Sequence, residues 1–415
     1  MASTDRMSPE EKEELILRSL QEVMNPEIIK DVLYKEDRPL KIYWGTATTG
    51  KPHCGYFVPM VKLAHFLKAG CHLKVLLADV HGFLDNLKAP IELVKFRAEY
   101  YKFVIVAVLE AIGVPVERLE FVLGSSYQLS EKYIMDIFRT STTVTVHDAQ
   151  KSGAEVVKQS DNPCLSGLIY PIMQALDEEH LDVDVQFGGV DQRKIFALAV
   201  ETLGKVGYKR RAHLMNAMVP GLAGGKMSAS DPNSKIDLLE KPEVVKKKIK
   251  KAVAAPRSLE GNGLISFVEH VLLPVSELRH GEGRFVCETR EGTEGTSKSQ
   301  TFTTIEDLKS DYLEDRVGPQ KLKSAVAGAI NDLLAPIQSK FQKSTEWQEL
   351  EKKAYPLRPE PEKKGKKVKN LGTRFPGKQD GKPQPGVVTQ PDGHVEGPDA
   401  DQVNLGIRDG PPPKS

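Results

Sequence analysis

Residues 42–56 constrain this chain more than any other stretch. Apolar residues from Leu40 to Trp44 read as a strand. A loop of small residues follows from Gly45 to Gly50, and Pro52 then marks a helix start with His53 and Gly55 in its first turn. Strand, glycine-bearing loop and helix N-terminus together aim backbone N–H groups and the positive end of a helix dipole at one point, which suits phosphate. The turn is not a Walker loop, because no Gly-Lys-Ser/Thr follows at the required spacing. It is not a dinucleotide fingerprint either, because Gly-x-Gly-x-x-Gly is absent.

Around this turn, strand signals recur at residues 72–79, 119–123, 181–187 and 213–215. Helical stretches at 61–68, 90–112, after Ser130 and at 191–203 separate them. Strands alternating with helices imply a parallel sheet with right-handed crossovers, a doubly wound, Rossmann-like α/β fold. Ligands in such folds bind at the carboxyl ends of strands. The opening turn, Asp79 and residues 188–192 all fall at such ends and could share one crevice.

Upstream, residues 8–34 read as one helix, with Ser8 as N-cap, Pro9 at its first position and glutamates in its first turns. Beyond residue 231 the strand signal fades, and helices are expected at 243–253, 264–272 and 320–341. Residues 281–304 read as a long loop or hairpin. From Pro356 the composition shifts to Pro, Gly, Lys and Asp, which predicts disorder. The expected organisation is an N-terminal helical segment (1–34), a Rossmann-like domain (35–230), a mostly helical domain (231–355) and a disordered tail (356–415).

Composition narrows the function classes. With 40% hydrophobic and 28% charged residues among 415, the chain reads as a soluble globular protein. The formal net charge is +1, so any nucleic-acid contact must come from local patches. The 4 cysteines include no Cys-x-x-Cys pair, which argues against zinc sites and a disulfide framework and for a reducing compartment. No run of about 18 apolar residues exists, so no membrane span is expected. The polar, acidic N-terminus resembles neither a signal nor a transit peptide, and the expectation is a cytosolic protein.

Three further motifs carry chemistry. Residues 224–230 combine glycines with Lys226, Met227, Ser228 and Ser230, a mobile loop able to close a cation over a polyphosphate. Alone, this pattern reads equally as an ordinary polar loop. Tyr170, Gln174 and Asp177 fall at i, i+4 and i+7 and share one helix face among apolar neighbours. Such a face is either a solvated stripe or an inward one that needs partners. Gly188 and Gly189 end a strand and either permit close backbone approach to a ligand or simply make a tight turn, with Gln192, Arg193 and Lys194 opening the next helix. His65, His72 and His147 lack ligand spacing. His81, just past a strand end, is either pocket lining or packing. Nothing around Cys54 argues for a reactive thiolate.

The ordered set His53-Cys54-Gly55-Tyr56, Tyr170…Gln174…Asp177, Gly188-Gly189…Gln192 and Lys226-Met227-Ser228…Ser230 resembles the class I aminoacyl-tRNA synthetases. Within them it is most similar to the cytoplasmic tyrosyl-tRNA synthetases of eukaryotes, over about residues 8 to 355, fading through 281–315 and not covering the tail. The resemblance implies that ATP and L-tyrosine are substrates, that Mg²⁺ accompanies the ATP with no structural metal, and that tRNA(Tyr) is the acceptor. It also implies a homodimer in the cytoplasm.

By the same resemblance, His53, Gly55, Lys226, Ser228 and Ser230 carry adenylate formation. Gly45, Thr48, Tyr56 and Met227 join them around ATP. Tyr43 and Asp177 would hold the phenolic hydroxyl, while Tyr170, Gln174 and Gln192 would hold the amino and carboxylate end. Arg193, Lys194 and the lysines Lys246, Lys247 and Lys248 are candidates for tRNA. Residues 246–251 also read as a nuclear signal, or simply as a solvated face. Cys54 and Tyr56 replace two residues of the usual His-Ile-Gly-His. Ala229 stands where many members carry a second lysine, leaving one cation fewer at the pyrophosphate. Lys321 stands where relatives carry an aspartate that reads the anticodon, and that role is not carried over.

Two alternatives remain. Tryptophanyl enzymes share the fold and the mobile-loop motif, but Tyr43, Asp177 and the Tyr-Pro-x-x-Gln-Ala-x-Asp phrase argue against them. A non-catalytic relative that binds RNA or senses tyrosine would not need an intact His53, Lys226 and pocket.

Overall fold

The computed structural model describes residues 7–85, 90–156, 164–222, 224, 235–291 and 296–356. All of these belong to one compact unit, Met1–Arg358. Its strands are β1 (Leu20–Met24), β2 (Lys41–Thr46), β3 (His72–Leu77), β4 (Leu119–Leu123), β5 (Val185–Gly189), β6 (Ala212–Asn216), β7 (Phe285–Glu291) and β8 (Thr296–Phe302). The helices of the first half are α1 (Pro9–Leu17), α2 (Pro26–Lys30), α3 (Phe57–Lys68), α4 (Asp79–Leu84), α5 (Ile91–Ile112), α6 (Ser125–Gln128), α7 (Glu131–Ser141), α8 (Val146–Gly153), α9 (Leu165–His180) and α10 (Arg193–Thr202). Those of the second half are α11 (Pro242–Lys251), α12 (Gly263–Phe267), α13 (Leu273–His280), α14 (Ile305–Leu313), α15 (Pro319–Lys343) and α16 (Thr345–Ala354).

The main sheet has the order β1-β6-β5-β2-β3-β4. β2 pairs in parallel with both β3 and β5, and only the edge strand β1 runs antiparallel, against β6. The chain moves outward from β2 to β3 and β4, then returns to build β5 and β6 on the other side. The direction of winding therefore reverses between β2 and β5, and a crevice opens at their carboxyl ends. Those ends are Gly45–Thr46 and Gly188–Gly189, two of the stretches expected to meet there.

Successive side chains of a strand point to opposite faces. On β2, Ile42 and Trp44 join the main apolar cluster with α3 and α5, while Tyr43 joins a separate cluster with Leu76 and Val183. The main cluster continues from the sheet through α3 and α5 into the C-terminal helices, where Val245, Ile249, Leu264, Ile330 and Trp347 are buried. The expected boundary at residue 230 falls among residues outside the description, as does the expected disordered tail from residue 357 onward.

The single helix expected over 8–34 is replaced by four elements: α1, β1, α2 and a π-helical turn over Asp31–Lys35. α1 forms as its cap predicts, with Ser8 Oγ accepting from Glu11 N and Glu11 closing a capping box. Ser19 and Asn25 then adopt left-handed backbone, with φ of 57° and 53°, and bracket β1. The Leu20/Val23 spacing suits a helix, but a ladder to β6 outweighs that local preference. Residues 281–304 contain the hairpin β7–β8, with Phe285 opposite Phe302. Helix α16, with Trp347 wholly buried, was not anticipated.

Candidate active site

Helix α9 presents Tyr170, Gln174 and Asp177 on one face, as their spacing requires, with Tyr170 and Asp177 buried and Gln174 half-buried. They line a cavity of about 360 Å³ together with Tyr43, Gly45, Tyr56, His81, Gln186, Gly188, Gly189 and Gln192. At its floor, Asp177 is completely buried. Its Oδ1 accepts three hydrogen bonds, from the Tyr127 hydroxyl at 2.8 Å, Gln128 Nε2 at 2.8 Å and the Tyr133 hydroxyl at 2.7 Å. Its Oδ2 has no hydrogen-bond partner among the described residues.

Burial raises the Asp177 pKa, while His81 and the three donors act to lower it. Tyr43 is 1% exposed and donates to the Gln174 carbonyl at 3.3 Å, which leaves its oxygen able to accept. Burial, then the nearby Asp177 charge, holds Tyr43 well above its ordinary value, so it stays a phenol. At the other end, Gln174 Nε2 donates to Gln192 Oε1 at 3.1 Å. Asp85 and Asp191 line that part of the cavity and bring negative charge beside Tyr170.

A second cavity, about 210 Å³, adjoins the first and is lined by His53, Gly55, Val58, Asn216 and Met218. The two share Trp44, Tyr56, Phe187, Gly188 and Gly189. A Cβ at Gly188 would lie 2.9 Å from Gln192 Cγ and 3.0 Å from the Phe196 ring, so only glycine lets this strand end pass. His53 caps the 3₁₀ turn Cys54–Tyr56: its Nδ1 accepts from Gly55 N at 3.1 Å, which assigns the ring proton to Nε2. Burial, then the nearby Lys235 charge, lowers the His53 pKa to about 4. The histidine is thus a neutral donor at physiological pH.

Residues 35–335 match the family described as tRNA synthetases class I (W and Y). The chain belongs to that family. It is 58% identical over 379 residues to "Tyrosine--tRNA ligase, cytoplasmic" of Saccharomyces cerevisiae, covering 91% of this chain and 96% of that protein. It is 54% identical over 352 residues to the protein of the same name from Danio rerio, covering 85% of this chain but only 64% of the fish protein. Among solved structures, tyrosyl-tRNA synthetase of Archaeoglobus fulgidus complexed with L-tyrosine superposes with a TM-score of 0.72 at 34% identity, covering 80% of this chain and 99% of that one.

In this class I synthetase the crevice gathers most of the residues singled out from sequence. Tyr43, Gly45, Tyr56, Tyr170, Gln174, Asp177 and Gln192 line the first cavity, and His53, Gly55 and Tyr56 the second. His81 resolves as pocket lining, its ring edge-on to Tyr170 at 4.6 Å. Thr48 departs from expectation: it is wholly buried beside Gly82 and lines neither cavity, because the loop turns its hydroxyl inward. Asp79 also stays out of the cavity, its Oδ1 accepting from Ser125 N at 2.8 Å and tying the ends of β3 and β4 together.

Lys226, Met227, Ser228 and Ser230 lie outside the described residues. The chain just beyond them returns to the His53 turn, where Cys54 N donates to the Ile236 carbonyl at 2.9 Å and His53 bridges Asp237. Of the basic candidates, Arg193 pairs with Glu22 at 2.8 Å and Lys194 with Glu155 at 2.8 Å. Lys248 is committed inward, to Glu240 at 2.8 Å and the Lys235 carbonyl at 2.9 Å, whereas Lys246 and Lys247 are exposed. The one lysine of the three that faces its own protein is a poor phosphate ligand. Lys321 is ion-paired with Glu288.

Sequence reasoning missed Tyr127, Gln128 and Tyr133, the three donors to Asp177. The strand-end rule applied to β4 would have pointed to the first two, since α6 follows its carboxyl end directly.

Proposed function

We propose that this synthetase is a tyrosine–tRNA ligase. The observation that carries the reading is the unpartnered Oδ2 of Asp177 at the floor of the first cavity. A buried acceptor without a donor is costly, and the phenolic O–H of tyrosine supplies the donor. Phenylalanine would leave it empty, and tryptophan would offer only an indole N–H on a larger ring. Tyr43 completes the grip on the hydroxyl. Tyr170, Gln174 and Gln192, with Asp85 and Asp191 nearby, suit the α-ammonium and carboxylate end.

ATP occupies the second cavity, with its phosphates at the His53 turn. The tyrosine carboxylate oxygen attacks the α-phosphorus, the bond to the bridging oxygen breaks, and pyrophosphate leaves. The neutral His53 donates from Nε2 to a phosphate oxygen, and Lys226, Ser228 and Ser230 would supply a cation and hydroxyls to the departing pyrophosphate. Mg²⁺ accompanying the ATP would supply positive charge to the phosphate oxygens as pyrophosphate departs. A ribose hydroxyl at the tRNA 3′ end then takes the tyrosyl group and releases AMP.

The helical second half would read the anticodon. Exposed Lys246 and Lys247 would meet tRNA phosphates, while Arg193 and Lys194 would meet the acceptor end by exchanging their carboxylate partners for phosphate. A homodimer accounts for the apolar side chains that α7 and the starts of α8 and α9 expose: Met135, Phe138, Val146 and Leu165, the last two 69% and 68% exposed. The cytoplasm is the compartment named for the relatives, and residues 246–251 leave a nuclear fraction open to test by imaging. Charging of tRNA(Tyr) with labelled tyrosine tests the function. No acid-stable tyrosyl-tRNA product would sink it.

A further inference from the structure

Residues 47–52, which lead into the His53 turn, are neither helix nor strand. Their path is therefore set by what grips their backbone from outside. Three successive residues are gripped. The Thr49 carbonyl accepts from Arg97 Nη1 at 2.6 Å. The Gly50 carbonyl accepts from two tyrosine hydroxyls, those of Tyr101 and, at 3.0 Å, Tyr355. The Lys51 ammonium sits 2.6 Å from Glu351 and 3.4 Å from Asp237.

Apart from Asp237, these groups come from two helices packed on one another. Arg97 and Tyr101 stand one turn apart on the same face of α5. Glu351 and Tyr355 come from the end of α16, and Arg97 Nε also donates to the Ala354 carbonyl at 3.1 Å. The Arg97 guanidinium lies 5.2 Å from the centre of the Tyr355 ring. Trp347, stacked on Phe103 at 5.7 Å, anchors α16 to α5. From Tyr101 the hydroxyls continue inward: Tyr56 donates to it at 3.3 Å and meets Thr46 Oγ1 at 3.1 Å, at the end of β2. The Tyr56 that replaces the usual histidine is thus a link in this chain of hydroxyls.

Burying Trp347 would suffice to finish the fold. It does not require the helix end to reach the turn and satisfy its carbonyls. We propose that Arg97, Tyr101 and Tyr355 are positioning residues for the nucleotide. By fixing the carbonyls of Thr49 and Gly50 they fix the peptide planes that lead into His53 and Gly55, and so make the nucleotide site depend on the C-terminal helix. The inference rests on the reading of the second cavity as the ATP site.

The test uses the full chain with Tyr355→Phe, which removes one hydroxyl and keeps the ring against Arg97 and Tyr100, and with Arg97→Lys, which cannot bridge both carbonyls. Tyrosine-dependent pyrophosphate exchange is measured with ATP and tyrosine varied separately, beside thermal melting. The loss of one hydrogen bond to the half-buried Gly50 carbonyl should raise the KM for ATP by about three- to tenfold. The KM for tyrosine should stay within about twofold and the melt of Tyr355→Phe close to that of the parent. An unchanged KM for ATP in folded Tyr355→Phe, or equal rises in both KM values, overturns the assignment. A parent chain without exchange overturns the ligase reading first, and this assignment with it.

Discussion

Asp177 Oδ2 lies 3.9 Å from His81 Nε2, too far for a hydrogen bond, and no other group among the described residues reaches it. The other oxygen of the same carboxylate takes three donors. One carboxylate is thus held rigidly from one side and presented from the other. This asymmetry is what the proposed recognition of a phenolic hydroxyl requires, since a carboxylate serving the fold alone would have both oxygens satisfied.

Asp177→Asn keeps a carbonyl acceptor but removes the charge. Hydrogen bonds to charged groups contribute about 1.5–3 kcal/mol, so the KM for tyrosine should rise about ten- to hundredfold while that for ATP stays within about twofold. Discrimination against phenylalanine should fall with it. Steady-state exchange with each amino acid checks this, and equal losses for ATP and tyrosine would mean that the pocket is misplaced.

Tyr133→Phe deletes one of the three donors without disturbing the ring, which packs with Ile137, Met173 and Leu176. About 1 kcal/mol of positioning should be lost, raising the KM for tyrosine severalfold. Isothermal titration with tyrosine should show weaker binding without loss of fold. Unchanged affinity would assign Tyr133 to packing alone.

The buried histidines set an acid limit. Burial is the leading cause that lowers His53 to about 4 and His65 to about 3, against an ordinary value near 6.5. As pH falls below 6.5 the unfolded chain takes up protons that the folded chain refuses. Stability is therefore fully present above that value and lost as pH falls toward 4, by up to about 1.4 kcal/mol per pH unit for each histidine. Urea unfolding at pH 7, 5.5 and 4.5 should show the decline, and His65→Gln should make it shallower. Exchange activity should show no inflection near 6.5 from His53; an inflection that disappears in His53→Asn would contradict the neutral-donor assignment.

Phe138 is 61% exposed on α7. Phe138→Asp should convert a dimer to a monomer in sedimentation velocity while leaving the secondary structure unchanged. A parent chain that sediments as a monomer at micromolar concentration would refute the homodimer.

The parts of this site legible in the sequence are those whose meaning is local. Tyr170, Gln174 and Asp177 betray themselves by helical spacing, and His53 and Gly55 by a strand–loop–helix pattern. Tyr127, Gln128 and Tyr133 do not, because what they satisfy lies 44 to 50 residues away. The edge strand β1 was hidden for the same reason: a partner nearly 200 residues downstream decides it. Helix α16 carries one tryptophan among mostly charged residues, too little periodicity to announce a buried face, yet its end grips the turn from which the sequence reading began.

The most direct test of the whole account is tyrosine-dependent exchange of labelled pyrophosphate into ATP, run beside tryptophan and phenylalanine. The account predicts exchange with tyrosine and, at equal concentration, none above background with the other two. Exchange with tryptophan but not tyrosine, or none with any of the three, would contradict it.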